Sequence, residues 1–429
     1  MKLTMGGKIL VGFDLCDDYS QISFTKMDSE EVETVSSVTG EEVFNIPTAL
    51  CKKEGTNQWL YGSEALRFAE EEQGILVENL VSLAVCGEPI QIEGNSYQPE
   101  SLLALFFKRA LTMLSQATST EKIAALMITC KNLDDRMIAV LSSVVEGLKL
   151  KAEKTFFQSH GESFYHYMLY QPEELRRMEN LLLEYKGSSI TVYHMDCNRR
   201  TTPMVVHINE GSYPFTSYEP MEEEEALRRE KQERLDEEFL HLLQSVCENK
   251  MLSAVYLIGE HFSEEWMKES LRYLCKGRRV FQGNNLYSKG AVYSLLERMC
   301  PSEAGQNHVF LGQDKLKTNV GMRIQIQGEE NYYALLDAGV NWYETEECVE
   351  FYLHEGNVVE LMLTSLIGGS SRVAQVALEG LPEGICRLRM HLYLKSEKVL
   401  MVEVEDLGFG VFRPTEGLVW KEEIELENT

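Results

Sequence analysis

Three short segments place acids, hydroxyls or a glycine directly after an apolar stretch. They are Gly12-Phe-Asp14, Asp196 to Thr201, and Val255-Tyr-Leu-Ile-Gly259. Glycine allows close approach to the backbone, and acidic residues at the end of a strand can simply cap the turn that follows. The three segments therefore predict either strand-end loops that face a ligand or a set of structural turn caps.

Other site chemistries have little support in the sequence. The ten cysteines run from Cys16 to Cys386 without a C-x-x-C pair, and none lies near a histidine at zinc-ligand spacing. This pattern predicts reduced, mostly buried thiols and no metal site. No G-x-S-x-G elbow occurs. His194, His207 and His261 stand singly beside strands, where we expect them to be satisfied polar residues.

The composition narrows the class of partner. The chain has 429 residues and a formal net charge of -27. Phosphates are repelled by so acidic a surface, which argues against a nucleic acid or an anionic membrane and fits basic partners. No signal peptide precedes Asp14, and no apolar run reaches the roughly 20 residues that span a membrane. We therefore expect a cytoplasmic protein.

Strands alternate with helices through about residue 300, which is typical of an α/β fold. Residues 8–14 and 19–24 read as two strands of a hairpin. Residues 100–113 and 133–148 have apolar side chains at helical spacing. Residues 221–250 predict a long amphipathic helix whose charges form a solvated face.

From His308 onward the pattern changes to short alternating strands separated by glycines. This predicts an all-β sandwich. Pro, Ser, Gly and Asn cluster between residues 300 and 313, so we place the boundary there. The predicted domains are residues 1–304 and 305–429.

In order and spacing, the three opening segments resemble the first phosphate loop, the second phosphate loop and the adenosine motif of the actin-like ATPases. Within that superfamily, Leu381-Pro-Glu-Gly and the strands that run on to Asp406 are similar to the second half of the DnaK peptide-binding sandwich. The chain thus resembles DnaK-type heat-shock chaperones over nearly its whole length. The resemblance implies an actin-like (ribonuclease H-like) two-lobed domain followed by a peptide-binding-like sandwich.

The resemblance also implies a vestigial nucleotide site at Asp14, Asp196, Thr201 and Gly259. In the family, the two aspartates organise magnesium and water around ATP or ADP. Only 63 positions separate Asp196 from Gly259, so the second lobe is reduced and the adenine-capping subdomain is largely missing.

The phosphate loops depart from the family pattern. Its Gly-Thr-Thr stretch is Cys16-Asp17-Asp18 here, and the added carboxylates should repel a polyphosphate. Its Gly-Gly-Gly is Asn198-Arg199-Arg200. These arginines either bind phosphate or form salt bridges with Asp17 or Asp18, and we favour the salt bridges.

The catalytic groups of the family are missing as well. Its catalytic glutamate aligns with Ser159, and Glu162 would need a shifted helix to replace it. No lysine occurs near residues 78–80, where the family's phosphate-binding lysine should fall, and its adenine-stacking arginine aligns with Ser263. We therefore assign no catalytic residue and expect no cofactor, with ATP or ADP and magnesium as the alternative.

The resulting functional hypothesis is a chaperone-like protein-binding or scaffold protein without ATP hydrolysis. Its expected partner is a protein or peptide client, and the resemblance alone implies a J-domain co-chaperone. Tyr332 and Tyr333 are candidate arch residues over a peptide in the sandwich, or else they begin the next strand and one of them is a core residue, which is the assignment we favour. The sequence ends after the sandwich without the family's helical lid, so we expect weak and fast peptide binding.

Two alternatives stay open. One is an active or nucleotide-switched ATPase chaperone, with Glu162 as the base and Arg199 or Arg200 on phosphate. The other is an actin-like assembly subunit, because actin-like folds polymerise.

Overall fold

The computed structural model describes residues 8–27, 29, 31–38, 40–117, 123–148, 152, 154–218, 225–367, 371–411, 413–415 and 417–426. The chain divides into two compact units, Met1–Val309 and Phe310–Thr429. The boundary predicted from the sequence lies a few residues earlier. Across the described part of the chain, no helix combines the length and apolar character needed to cross a membrane.

Within the described residues, seventeen strands precede the second unit or lie at its boundary. They are β1 (Ile9–Leu15), β2 (Tyr19–Lys26), β3 (Glu33–Thr34), β4 (Ile46–Pro47), β5 (Leu50–Lys53), β6 (Trp59–Tyr61), β7 (Gly74–Val77), β8 (Ile90–Ile92), β9 (Asn95–Tyr97), β10 (Ile123–Cys130), β11 (Lys154–Ser159), β12 (Glu179–Lys186), β13 (Ser189–Asn198), β14 (Met204–Pro214), β15 (Leu252–Ile258), β16 (Arg279–Gln282) and β17 (His308–Phe310).

The described part of the chain also holds ten α-helices among these strands. They are α1 (Gly62–Glu70), α2 (Leu80–Cys86), α3 (Pro99–Leu111), α4 (Leu114–Ala117), α5 (Asp135–Leu148), α6 (His160–Leu169), α7 (Glu225–Cys247), α8 (Glu269–Leu274), α9 (Leu286–Met299) and α10 (Glu303–Asn307). Short 3-10 turns occur at Glu173–Leu175 and Glu260–Ser263.

The first large sheet is built around β1. Its order is β11-β10-β1-β2-β3, with β4 also paired to β2. All seven residues of β1 are buried, as expected for a strand covered on both faces. β1 runs antiparallel to β2 and parallel to β10, which is parallel to β11. The predicted hairpin of residues 8–14 and 19–24 is therefore confirmed.

The second large sheet repeats this arrangement around β12. Its order is β16-β15-β12-β13-β14-β17. β12 is antiparallel to β13 and parallel to β15, which is parallel to β16. Each sheet thus has a central strand with a hairpin partner on one side and two parallel strands on the other. The turn after β1 and the turn after β12 occupy equivalent positions in the two sheets.

Helix α7 lies in the stretch predicted as an amphipathic helix, although residues 221–224 fall outside the described residues. Its apolar face, which includes Phe239 and Leu243, is buried in a core shared with Trp266. The same face buries the acid Asp236. This carboxylate accepts hydrogen bonds from the backbone N–H groups of Lys268, Glu269 and Ser270 at 2.8–3.0 Å, and from the Ser270 hydroxyl. Asp236 therefore caps the N-terminus of α8 from a different helix.

The second unit consists of β18 (Thr318–Ile326), β19 (Glu329–Leu336), β20 (Glu346–Leu353), β21 (Val358–Ser365), β22 (Ser371–Ala377), β23 (Cys386–Ser396), β24 (Val399–Asp406) and β25 (Val419–Glu425), with a 3-10 turn at Trp342–Glu344. They form two four-stranded antiparallel sheets, ordered β19-β18-β21-β22 and β20-β23-β24-β25. Buried positions alternate along β23 and β24, so the second sheet buries one apolar face.

We expect Asp236→Ala to lower the free energy of unfolding by about 2 kcal/mol, because the N–H groups at the start of α8, including that of the buried Ser270, lose their acceptor. Urea denaturation of the full chain measures this change. The matched control is Asp134→Ala. Asp134 accepts one hydrogen bond, from Met137 N at 2.8 Å, at an exposed position, so its loss should cost less. An equal loss in the two variants would contradict the cap.

The Asp236 cap also predicts a pH dependence. Burial raises the pKa of this carboxyl, but the Ser270 hydroxyl and the backbone N–H groups outweigh burial and hold the pKa below its usual value. A carboxyl with a lowered pKa stabilises the fold above its unfolded pKa of about 4 and loses that contribution as the pH falls further. The stability difference between wild type and Asp236→Ala should therefore shrink in acid. A difference that stays constant down to acid pH would contradict this assignment.

Candidate functional site

The turns after β1 and β12 are joined by an ion pair. Lys186 Nζ, at the end of β12, lies 2.8 Å from Asp18 Oδ1 in the first turn. The buried acids Asp14 and Glu184 lie near the ends of the same two strands. The structure thus brings the two hairpins together with one acid from each sheet.

Three side chains converge beside the first turn. His160 Nε2 lies 2.8 Å from Asp14 Oδ1. Cys16 Sγ lies 3.8 Å from the same oxygen and 3.9 Å from His160 Nε2. Asp14 and His160 are only 2% and 1% exposed, and Cys16 is partly buried. We call these residues the Asp–Cys–His cluster.

Strand and helix ends position the cluster. Asp14 is the sixth residue of β1, and Cys16 follows that strand directly. His160 is the first residue of α6, directly after β11. Ser159 caps this helix, since its hydroxyl accepts a hydrogen bond from Glu162 N at 3.3 Å. Ser159, which the resemblance to DnaK-type chaperones would place at a catalytic glutamate, is therefore a helix cap.

Helix α9 supplies the next layer of contacts. The Tyr287 ring stacks on the His160 imidazole, with centroids 3.8 Å apart and an interplanar angle of 13°. Its hydroxyl donates to Glu184 Oε2 at 3.3 Å, and the Tyr193 hydroxyl donates to the same oxygen at 3.5 Å. Burial, together with the charge of Glu184, raises the pKa of both phenols. Both tyrosines therefore stay neutral donors to the buried carboxylate.

The geometry argues against a nucleophilic cysteine. In a Cys–His–Asp triad, one ring nitrogen faces the thiol and the other faces the acid. Here the same atom, His160 Nε2, faces both partners. Burial, followed by the charge of Asp14, raises the pKa of the Cys16 thiol well above its usual value. The thiolate that a nucleophile requires is thus disfavoured.

Asp17 and Asp18 already have partners in the structure. Asp17 Oδ1 accepts hydrogen bonds from Val81 N at 2.9 Å and Ser82 N at 3.0 Å, so it caps α2. Asp18 pairs with Lys186. The sequence favours salt bridges from Arg199 or Arg200 to these acids. For Arg199 that prediction is wrong. Its guanidinium donates to the carbonyl oxygens of Arg176 and Arg177, at 2.9 and 2.6 Å.

The structure does not bring Asp196 and Thr201 to Asp14. Asp196 lies opposite His207 in the β13–β14 pair. The neighbouring pair, Asn180 with Met195, is near the start of β12, so Asp196 is at the other end of the second sheet from Glu184. The Thr201 hydroxyl donates to Asn198 O at 3.2 Å within the turn. The predicted second loop is thus a separate hairpin.

Glu184 occupies the position that the sequence analysis gave to Asp196. It was missed, although Leu181-Leu-Leu-Glu184-Tyr-Lys-Gly187 shows the same signal as the first segment, an acid at the end of an apolar strand. Gly259 does lie at this end of the sheet, since the preceding Ile258 pairs with Glu184. Its φ is +112°, and an added Cβ would lie 2.3 Å from Tyr185 O. Gly259 therefore has a structural role in the packing of β15 on β12.

Glu162 and the three histidines singled out from the sequence lie outside the Asp–Cys–His cluster. Glu162 is buried within α6, with Oε1 3.6 Å from His166 Nε2. His194 pairs with Glu179 at 2.7 Å, as expected of a satisfied polar residue. His261 stacks on Tyr218 with centroids 5.0 Å apart. His207 lines an open groove of about 460 Å³ with Arg177, Asp196 and Arg199.

Tyr332 and Tyr333 lie in the middle of β19 rather than in a loop, and they are 52% and 42% exposed. An added Cβ at Gly321 would lie 2.3 Å from the Tyr332 ring. That ring therefore covers a glycine on the neighbouring strand β18. Tyr333 lies opposite Met322, which is buried. The prediction that the two tyrosines belong to the next strand is confirmed, whereas their assignment to a loop and the expectation that one of them is in the core are wrong.

These features define an α/β protein with a buried Asp–Cys–His cluster and a separate β unit. The family model described as "Family of unknown function (DUF5716) C-terminal" matches residues 31–313, and the chain belongs to this family. The model described as "Domain of unknown function (DUF8552)" matches residues 315–426. No curated protein matches the chain.

We expect Gly259→Ala to destabilise the full chain by at least about 2 kcal/mol, because the methyl group would meet the Tyr185 carbonyl and φ is positive. Thermal and urea unfolding measure the loss. The matched control is Gly277→Ala, at φ +75° with open space around it, which should cost about 1 kcal/mol. Equal losses would contradict the packing role.

Proposed function

We propose that this protein is a cytoplasmic, chaperone-like protein-binding or scaffold protein related to the DnaK-type chaperones, without ATP hydrolysis. The two large sheets, with the same order of strand directions, support an actin-like, two-lobed interpretation of the first unit. The two four-stranded antiparallel sheets support a sandwich of the peptide-binding type in the second.

The observation that carries the proposal is the occupied turn after β1. Asp17 caps α2, and Asp18 forms an ion pair with Lys186 across the two sheets. Asp14 and Glu184 add two buried carboxylates nearby. A polyphosphate would have to displace these contacts and approach several carboxylates. The repulsion between its negative charges and those of the carboxylates would cost free energy. The geometry therefore favours a protein that keeps its two-lobed form without nucleotide.

The groups around this turn also give little support for hydrolysis. Ser159 serves as the cap of α6, and Glu162 faces His166 within that helix. Between β14 and β15 the described residues hold a single helix, α7, which agrees with a reduced second lobe. Neither Ser159 nor Glu162 therefore serves as a general base toward Asp14, and α7 offers little to cover an adenine.

A partner surface is offered by the second unit. β19 is the last strand of its sheet, and none of the described strands pairs with its outer edge. An extended peptide can add to such an edge through backbone hydrogen bonds, with alternate side chains giving specificity. The net charge of -27 favours a basic segment. We therefore place the client at β19, beside Tyr333, and leave a J-domain partner as an implication of the resemblance.

Isothermal titration of the full chain with ATP and ADP in magnesium should give no heat of binding, because the first turn holds acids and is closed by internal contacts. The informative variant is Cys16→Gly with Asp17→Thr and Asp18→Thr, which restores the small residues of the family loop. If the acids are what excludes the nucleotide, this variant should gain affinity.

Wild-type turnover of ATP that requires magnesium and disappears in Asp14→Asn would overturn the non-hydrolysing proposal. Micromolar binding of ATP without turnover would instead favour a nucleotide-switched chaperone.

A labelled peptide that alternates lysine with leucine should bind the full chain, and Tyr333→Ala should weaken its binding about threefold to tenfold, the range for loss of one aromatic contact. Fluorescence anisotropy measures the affinity. The matched control is Tyr352→Ala, which removes a tyrosine that is 59% exposed on the other sheet and should leave the affinity unchanged. Equal binding by wild type and Tyr333→Ala would exclude β19 as the peptide site.

A further inference from the structure

The Asp–Cys–His cluster offers one carboxylate oxygen, one thiol sulfur and one imidazole nitrogen to a common point. These three atoms all lie within 4.8 Å of one another. In the chain, His160 lies 144 positions after Cys16 and 146 positions after Asp14. No local sequence motif could therefore reveal the cluster, and the expectation of no metal site rested on local spacing alone.

We propose that Asp14, Cys16 and His160 bind a zinc ion, with the fourth position open to water or to a ligand.

The distances suit this ion. Tetrahedral zinc with bonds of about 2.0 Å to oxygen, 2.0–2.1 Å to nitrogen and 2.3 Å to sulfur has ligand atoms about 3.3–3.6 Å apart. The observed separations are 2.8 Å for oxygen to nitrogen, 3.8 Å for sulfur to oxygen and 3.9 Å for sulfur to nitrogen. Binding would need each separation to change by roughly 0.5 Å or less. Mixed sulfur, nitrogen and oxygen donors favour zinc over calcium or magnesium, which prefer oxygen ligands.

The surroundings favour a cation. Four charged groups act on Cys16, namely the carboxylates of Asp14, Asp18 and Glu184 and the ammonium of Lys186. Three negative charges against one positive charge give a local potential that attracts a divalent ion. Because Asp18 and Lys186 neutralise each other in an ion pair, Asp14 and Glu184 remain as the uncompensated charges of this set.

The imidazole is already oriented for ligation. His160 is held by the stack on Tyr287 and by the start of α6, and it aims Nε2 at the cluster. The other ring nitrogen, Nδ1, is buried without a hydrogen-bond partner. A carboxylate only accepts hydrogen bonds, so Nε2 carries the proton that it donates to Asp14 in the metal-free protein. For zinc to bind at Nε2, the ring proton would move to Nδ1, so that the imidazole binds as the neutral tautomer, and Cys16 would release its own proton to solvent and bind as the thiolate.

Titration of the full chain with zinc, after removal of metal with a chelator, should show one ion bound per chain and a raised melting temperature. Cobalt(II) should give a thiolate-to-cobalt charge-transfer band in the near ultraviolet. Cys16→Ser should abolish that band and weaken zinc binding at least tenfold, because a hydroxyl replaces the sulfur ligand. The matched control is Cys197→Ser, another partly buried cysteine that lies outside the cluster and should change neither signal.

Asp14→Asn and His160→Gln extend the test, with circular dichroism and urea unfolding to show that each variant folds. The proposal is overturned if folded Cys16→Ser binds zinc as tightly as wild type, or if Cys197→Ser loses the cobalt band to the same extent. It is equally overturned if the wild-type chain retains no zinc on gel filtration. These readouts involve neither nucleotide nor peptide, so the protein-binding proposal can fail without affecting them.

Discussion

The first unit depends on the close approach of α9 to β1 and α6. Two positions that lack a side chain make this approach possible. A Cβ at Gly12 would lie 2.3 Å from Ser288 O, and a Cβ at Gly290 would lie 2.0 Å from Ser163 O. With α9 at this distance, Tyr287 reaches both the His160 ring and the Glu184 carboxylate. The contacts of Tyr287 with His160 and Glu184 therefore depend on two glycines, Gly12 and Gly290.

Much of the fold could be predicted because the pattern of apolar residues in the sequence indicates which faces of a strand are buried. A strand covered on both faces reads as a continuous apolar run, as β1 does, and a strand with one buried face alternates, as β23 does. Asp14 was found because an acid interrupts such a run near its end. The same signal marks Glu184, but the spacing of the DnaK-type motifs favours Asp196 instead. The error came from the alignment, whereas the residues themselves carried the information.

The rest of the site depends on contacts between distant parts of the chain. Nothing near His160 indicates that its imidazole meets Asp14, because the two are joined only when β11 and β1 enter the same sheet. The partners of Arg199 could not be predicted for the same reason. Backbone carbonyl oxygens compete with carboxylates as acceptors for a guanidinium, and the sequence does not show which carbonyl groups lie near it. For Tyr332 the sequence leaves two assignments open, an arch over a peptide and the start of the next strand, and the strand is confirmed. The Tyr332 ring covers Gly321, a cross-strand contact that a linear reading does not show.

The cap that Asp236 provides couples the folding of α8 to that of α7. α8 has six residues, too few to hold a helix in water without tertiary support. Its first N–H groups find their acceptor on α7, more than 30 residues earlier in the chain. The two helices therefore form and melt as one cooperative unit, and amide hydrogen exchange in α8 reports on the docking of α7 rather than on local fraying.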